Sequence, residues 1–139
     1  MIVLDTNVLS ELAKPSPAPA VLAWCNRQRR TGLFVTTITQ AEILFGLGIL
    51  PKSKRRTGLE EAARIVFDVD FDGSVLSFDS DAAREYARIA VARRKLGRPI
   101  STMDAQIAAI TRSRQATLAT RNTADFDHCG VPVLNPWLD

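Results

Sequence analysis

The sequence predicts an α/β fold built on a mainly parallel central sheet of about five strands. Two observations carry that prediction. Short uncharged apolar runs recur along the chain, and stretches with helical spacing separate them. Runs such as Val75-Leu76 and Val131 with Val133 are apolar on both faces, as in strands covered on both sides. Strands that alternate with helices call for crossover connections, and crossovers make parallel pairs.

Residues 2–4 form the first expected strand. Residues 7–14 follow as a short helix, stopped by Pro15 and Pro17. Pro19 suits the first turn of a second helix, residues 19–29. Residues 33–36 are the second strand, and residues 39–50 a helix that ends at Pro51. Residues 53–66 set Leu59, Ala62, Ala63 and Val66 at helical spacing. Residues 75–78 are the third strand. Residues 79–96 are a helix closed by Gly97. A helix over 101–113, a strand over 116–119 and a short strand over 131–134 complete the pattern. No repeat, low-complexity tract or linker interrupts it, so residues 1–139 read as one domain.

Composition removes several classes of function. Hydrophobic residues make up 46% and charged residues 24%, the balance of a soluble globular protein. No apolar stretch reaches the ~20 residues of a membrane span, and no secretory signal follows Met1. A cytoplasmic protein with no membrane partner is expected. Cys25 and Cys129 lie far apart and are expected as reduced, buried or half-buried thiols. His128 is the single histidine, so a Cys/His zinc site cannot form without several acids. No Gly-x-Ser-x-Gly elbow accompanies His128 as the base of a hydrolase. The net charge of +3 is a mild pull toward polyanions. Lys52, Lys54, Arg55 and Arg56 form one basic cluster; Arg84, Arg88, Arg93, Arg94, Lys95 and Arg98 form another. Such runs on helices are commonly solvated faces, and their use depends on whether they rim an acidic site.

Topology brings acids together. Ligands of open α/β sheets sit at the carboxyl ends of the strands. Asp5 ends the first strand. Glu42 lies near the start of the helix after the second. Asp104 opens a helix that runs back antiparallel to the fourth strand, so it reaches the same edge. Thr120, Arg121, Asn122 and Asp125 leave that fourth strand there. Crowded carboxylates take up protons or bind a cation. Oxygen ligands without His or Cys favour Mg²⁺ or Mn²⁺, ions that can support phosphodiester hydrolysis. Thr6, Asn7, Thr120 and Asn122 would then hold the carboxylates in place. Each acid also has a plainer reading. Thr39 with Glu42, and Ser101 with Asp104, have the spacing of capping boxes. Asp5 can cap the helix that follows it, and Asp125 can be a surface acid.

These segments are similar to those of the PIN-domain family, and more closely to its VapC-type toxins of type II toxin–antitoxin systems. The likeness runs through residues 2–11 (Ile2-Val3-Leu4-Asp5-Thr6-Asn7 onward), residues 37–46 around Glu42, and Asp104-Ala105-Gln106-Ile107-Ala108-Ala109. Residues 118–126 and the ending Leu134-Asn135-Pro136-Trp137 extend it. Order and spacing carry it, since no single motif is decisive. The resemblance implies a PIN-like α/β/α sandwich and a Mg²⁺- or Mn²⁺-dependent ribonuclease. Asp5, Glu42 and Asp104 would be its metal-binding acids. Many PIN domains place a fourth acid where this chain has Asn122, and Asp125 stands close enough to substitute. Hydrolysis of single-stranded or looped RNA to a 5′-phosphate and a 3′-hydroxyl is implied. So are a homodimer, a VapB-type antitoxin and promoter DNA reached through that antitoxin. Arg84, Arg88, Arg93 and Arg94 are then the expected RNA contacts. A haloacid-dehalogenase-type phosphatase would need an acid where Asn7 stands, and a dinucleotide fold lacks its glycine fingerprint. The remaining alternative is a subunit of a DNA-bound regulatory complex with little nuclease activity.

Overall fold

Five short strands form one sheet in the order β3-β2-β1-β4-β5, with every neighbouring pair parallel. The strands are β1 (Ile2–Leu4), β2 (Leu33–Thr36), β3 (Val75–Leu76), β4 (Thr117–Ala119) and β5 (Val133–Leu134). The computed structural model describes all 139 residues. Its helices are α1 (Thr6–Leu12), α2 (Pro19–Arg27), α3 (Thr37–Gly48), α4 (Lys54–Ile65), α5 (Ser80–Lys95) and α6 (Thr102–Ser113). The expected alternation and the parallel sheet are both present.

Alternation along β1 divides the core in two. Val3 belongs to a cluster with Ile107, Ile110 and Leu118, roofed by α5 and α6. Leu4 belongs to a second cluster with Val8, Val21, Trp24 and Val35, roofed by α1 and α2. Neighbouring strand residues point to opposite faces, so one three-residue strand feeds both layers. Each fully buried Leu or Ile contributes roughly 1.5–3 kcal/mol. β1 lies between β2 and β4, with Ile2 opposite both Leu33 and Thr117. The carboxyl ends of the three central strands therefore emerge side by side.

Most boundaries shift by one or two residues from expectation, β5 shrinking to Val133–Leu134, and three changes are instructive. α3 begins at Thr37 rather than Thr39, because the Thr36 hydroxyl accepts the Thr39 N–H at 3.1 Å and starts the helix earlier. α4 passes into one wide π turn, Val66–Asp70, where the Phe71 N–H donates to the Val66 carbonyl at 2.9 Å. Phe67, four residues after buried Ala63, continues the buried face of α4 into this turn. β3 spans two residues, Val75–Leu76, instead of four. The end of α5 is as expected. Gly97 adopts φ +69°, and the N–H groups of Gly97 and Arg98 donate to the carbonyls of Arg94 and Arg93. Glycine suits this left-handed closure.

Candidate metal centre

Asp5 is the first residue past β1. Its N–H donates to the Ala119 carbonyl at 2.9 Å, which anchors it between the two strands. The residue is buried, and both carboxylate oxygens are engaged. Oδ1 accepts the Thr6 N–H at 2.8 Å. Oδ2 accepts the Thr120 hydroxyl at 2.7 Å and the Asn7 amide at 3.3 Å. Asp5 thus does cap α1, as its local reading allowed. Capping uses Oδ1; the clasp on Oδ2 comes from Thr120, beyond β4. Thr120 also accepts from the Asn122 N–H at 3.1 Å and the Asn7 amide at 3.3 Å.

Glu42 is not a capping residue. With Thr36 as the N-cap, Glu42 is the sixth residue of α3, beyond reach of the capping position. Its Oε1 accepts the Thr6 hydroxyl at 3.0 Å. Thr6 has one hydroxyl proton, so Thr39 supplies the proton in their 3.0 Å contact. Thr36 in turn donates to Thr39 at 3.4 Å. A relay of three threonine hydroxyls, fed from the end of β2, thus terminates on Glu42.

Asp104 stands in the first turn of α6, where the Ser101 hydroxyl accepts its N–H at 3.2 Å. Ser101 caps the helix without the Asp104 carboxylate. Asp125 lies in a 3₁₀ turn, Thr123–Phe126, and is exposed.

Three of these acids hold protons above the ordinary carboxylate range. Burial is the first cause for each. Hydrogen bonds from Thr120 and Thr6 pull Asp5 back, while the charges of Asp104 and Asp125 push it up. Glu42 is pushed by Asp5 and Asp104 against the Thr6 bond. Asp104 is pushed by Asp125 and eased by Ser101 and Arg93. The acids from four separate segments therefore share one field at one sheet edge. They do not form a closed cage: no three carboxylate, thiol or imidazole groups stand together in coordinating array. As a donor set they suit a hard divalent cation, because they are all oxygen, partly desolvated and mutually repelling. The threonine and asparagine donors fix Asp5 and Glu42 as outer partners of a metal ligand do.

The expected basic stripe on α5 is corrected at one position. Arg93 is buried. Its guanidinium donates to the carbonyls of Arg98 at 2.7 Å, Asp125 at 2.8 Å and Asp127 at 3.0 Å. It pins the loop that carries Asp125 and cannot meet RNA. Buried Ala82 and Ile89 on the same helix face already mark that position as inward. Arg84 pairs with Asp81 and Arg88 with Glu85, while Arg94 is exposed and unpaired. Sequence reasoning missed Glu11. Its carboxylate accepts the Ala18 N–H and the Lys14 ammonium, both at 3.1 Å, and closes the Pro15–Pro17 turn. It also missed the pairing of Arg121 with Trp137, whose ring lies 5.0 Å beneath the guanidinium. Glu11 and Lys14 have the i,i+3 spacing of a helical ion pair, whereas Arg121 and Trp137 have no short-range motif.

Comparison with known proteins agrees with the fold. The PIN domain family model matches residues 2–131. VapC ribonuclease Y4jK of Sinorhizobium fredii is 42% identical, over 99% of this chain and 98% of its own. Toxin FitB of Neisseria gonorrhoeae is 36% identical over the full length of both chains. Among solved structures, FitAB bound to the IR36 DNA fragment superposes with a TM-score of 0.91 at 36% identity. That match covers 99% of this chain and 96% of the other.

Proposed function

We propose, for a chain that belongs to the PIN-domain family and resembles its VapC and FitB toxins along its whole length, an endoribonuclease toxin restrained by a cognate antitoxin. It hydrolyses RNA phosphodiester bonds. The reading rests above all on one observation: the order of the parallel strands brings Asp5, Glu42, Asp104 and Asp125 to the carboxyl edge of the sheet, where Thr120 and Asn7 clasp Asp5 and Thr6 donates to Glu42.

Asp5, Glu42 and Asp104 are the residues that would hold Mg²⁺ or Mn²⁺, with Asp125 as the fourth acid. When bound, the cation polarises a phosphoryl oxygen and makes water a competent nucleophile at neutral pH. The chain's own residues do the rest. Thr120 and Asn7 hold the Asp5 carboxylate in one orientation. The Thr36–Thr39–Thr6 relay aims Glu42. Arg93 fixes the backbone of the turn that bears Asp125. Partly buried walls lower the local dielectric, so charges there act more strongly than in water.

A cleft of about 360 Å³ between α1, α3 and α4, lined by Leu9, Ile43, Leu47, Leu59 and Phe67, offers an apolar bed for an antitoxin helix. Through that antitoxin the toxin reaches promoter DNA, a role favoured by the FitAB–DNA likeness. It works as a homodimer in the cytoplasm, and no helix is long and apolar enough to cross a membrane. Incubating the antitoxin-free protein with total RNA and Mg²⁺, then sequencing the new ends, tests the reading. Discrete cuts that disappear in EDTA are expected. Intact RNA, or cuts that persist in EDTA, would contradict it.

A further inference from the structure

We propose that Arg121, stacked on Trp137, is a substrate-binding residue that grips a phosphate of single-stranded RNA at the rim of the acidic sheet edge. The proposal rests on the nuclease reading above and adds a residue pair to it. Four observations carry it.

First, the Arg121 backbone is fixed at the rim of the acidic edge. It follows Thr120, the residue that clasps Asp5. Its N–H donates to the Asn7 Oδ1 at 3.2 Å, and the Asn7 amide donates to Asp5. Two hydrogen bonds therefore connect its backbone to the central acid.

Second, the guanidinium is uncommitted. Arg121 is exposed, and its side chain makes no ion pair and no hydrogen bond. Other arginines near this end of the molecule are engaged. Arg98 faces Asp127 at 4.0 Å, and Arg93 is buried on carbonyls. Glu11, the acid that feels the Arg121 charge, already has its own donors in Ala18 and Lys14.

Third, the indole preorganises it. Trp137 packs on the core cluster that contains Leu4 and Val8. Its backbone N–H donates to Asn135 Oδ1 at 2.9 Å, and the Asn135 side-chain amide donates to the Arg121 carbonyl at 3.5 Å. The platform and the strand end that it serves are tied together. A flat cation over a fixed ring loses less freedom on binding than a free side chain.

Fourth, stacking selects the ligand's approach. With one face of the guanidinium against the indole, the open part is its edge, where all five N–H donors lie in one plane. That edge suits the paired oxygens of a phosphate. Cations placed in this way position a strand without reading its sequence.

The experiment titrates a short fluorescein-labelled single-stranded RNA into the protein in EDTA, which prevents turnover, at several salt concentrations. Arg121→Gln is expected to bind about tenfold more weakly. Its salt slope should fall by about 0.7, the loss of one phosphate contact. Arg121→Lys is expected to restore the slope but not the full affinity, because it keeps the charge and lacks the fork. Melting temperature should fall by no more than a few degrees in the variants, since the Asn7 bond comes from the backbone and only the exposed stack on Trp137 is lost. With Mg²⁺, Arg121→Gln should raise KM and leave kcat nearly intact. Equal slopes and affinities in wild type and Arg121→Gln would overturn the proposal. So would a glutamate-rich peptide that binds wild type and is lost from Arg121→Gln while RNA binding is kept, which would assign the cation to a protein partner. If wild type cuts RNA and Arg121→Gln matches it in KM and slope, only Arg121 is reassigned. If wild type neither binds nor cuts RNA, the nuclease reading falls with it.

Discussion

Glu11 and Asp5 are both buried carboxylates within one helical segment of each other, yet their protons behave in opposite ways. Glu11 lies below the ordinary range, chiefly because the Ala18 N–H and the Lys14 ammonium stabilise its charge. Asp5 lies above the ordinary range, since burial outweighs the donors from Thr120 and Thr6 and no cation stands beside it. Glu42 and Asp104 follow Asp5. A carboxylate built to strap a turn has its positive partner in the chain. The carboxylates proposed to hold a cation are oriented by neutral donors, pressed by other acids and left short of positive charge. Unfavourable electrostatics of this kind at one sheet edge is the signature of a functional site.

The strongest way to break this contrast is to remove an edge acid. Asp5→Asn should lower Mg²⁺-dependent RNA cleavage by about a thousandfold or more, while circular dichroism shows the same fold. Next in size is the clasp. Thr120→Val keeps the shape and deletes the donor to Asp5, so Mg²⁺ affinity measured by calorimetry should fall by about 10–100-fold. Undiminished affinity in this variant would show that the clasp does not prepare Asp5 for metal.

Smaller effects sharpen the strap side. Glu11 has a folded pKa below its unfolded value, so its contribution is fully present above the unfolded value. It is lost as pH falls through the folded one. Thermal melts of wild type should therefore show a loss on acidification that Glu11→Gln lacks. At neutral pH Glu11→Gln should melt at a lower temperature while binding Mg²⁺ as wild type does. The edge acids have the opposite sign: in EDTA they cost stability as pH rises through their raised range. Least of all, Arg84→Ala should change stability by no more than about 0.5 kcal/mol in denaturant titration, because an exposed pair such as Arg84 with Asp81 contributes little.

Much of this was legible in the sequence. The apolar runs identify the strands, and their order puts Asp5, Glu42, Asp104 and Asp125 at one edge before any side chain is placed. Capping was harder to read, because Thr36 and Thr39 both fit the start of α3. Only the hydrogen bond from the Thr39 N–H to Thr36 decides it, and that decision moves Glu42 from a capping role to the site. Arg93 sits in a run of cations that looks solvated, and its inward turn depends on loop carbonyls supplied by residues 32 and 34 positions away. The π turn at Val66–Asp70 follows a period that helical spacing does not contain. Arg121 and Trp137 meet through the sheet, and no local pattern links them.

The most direct test of the edge as a metal site is calorimetric titration of Mn²⁺ into the antitoxin-free protein, its Asp5→Asn variant and its Glu11→Gln variant. Saturable binding by wild type and Glu11→Gln, and none by Asp5→Asn, is the predicted result. Equal binding by all three, or no binding by wild type, would contradict a cation-binding role for these acids.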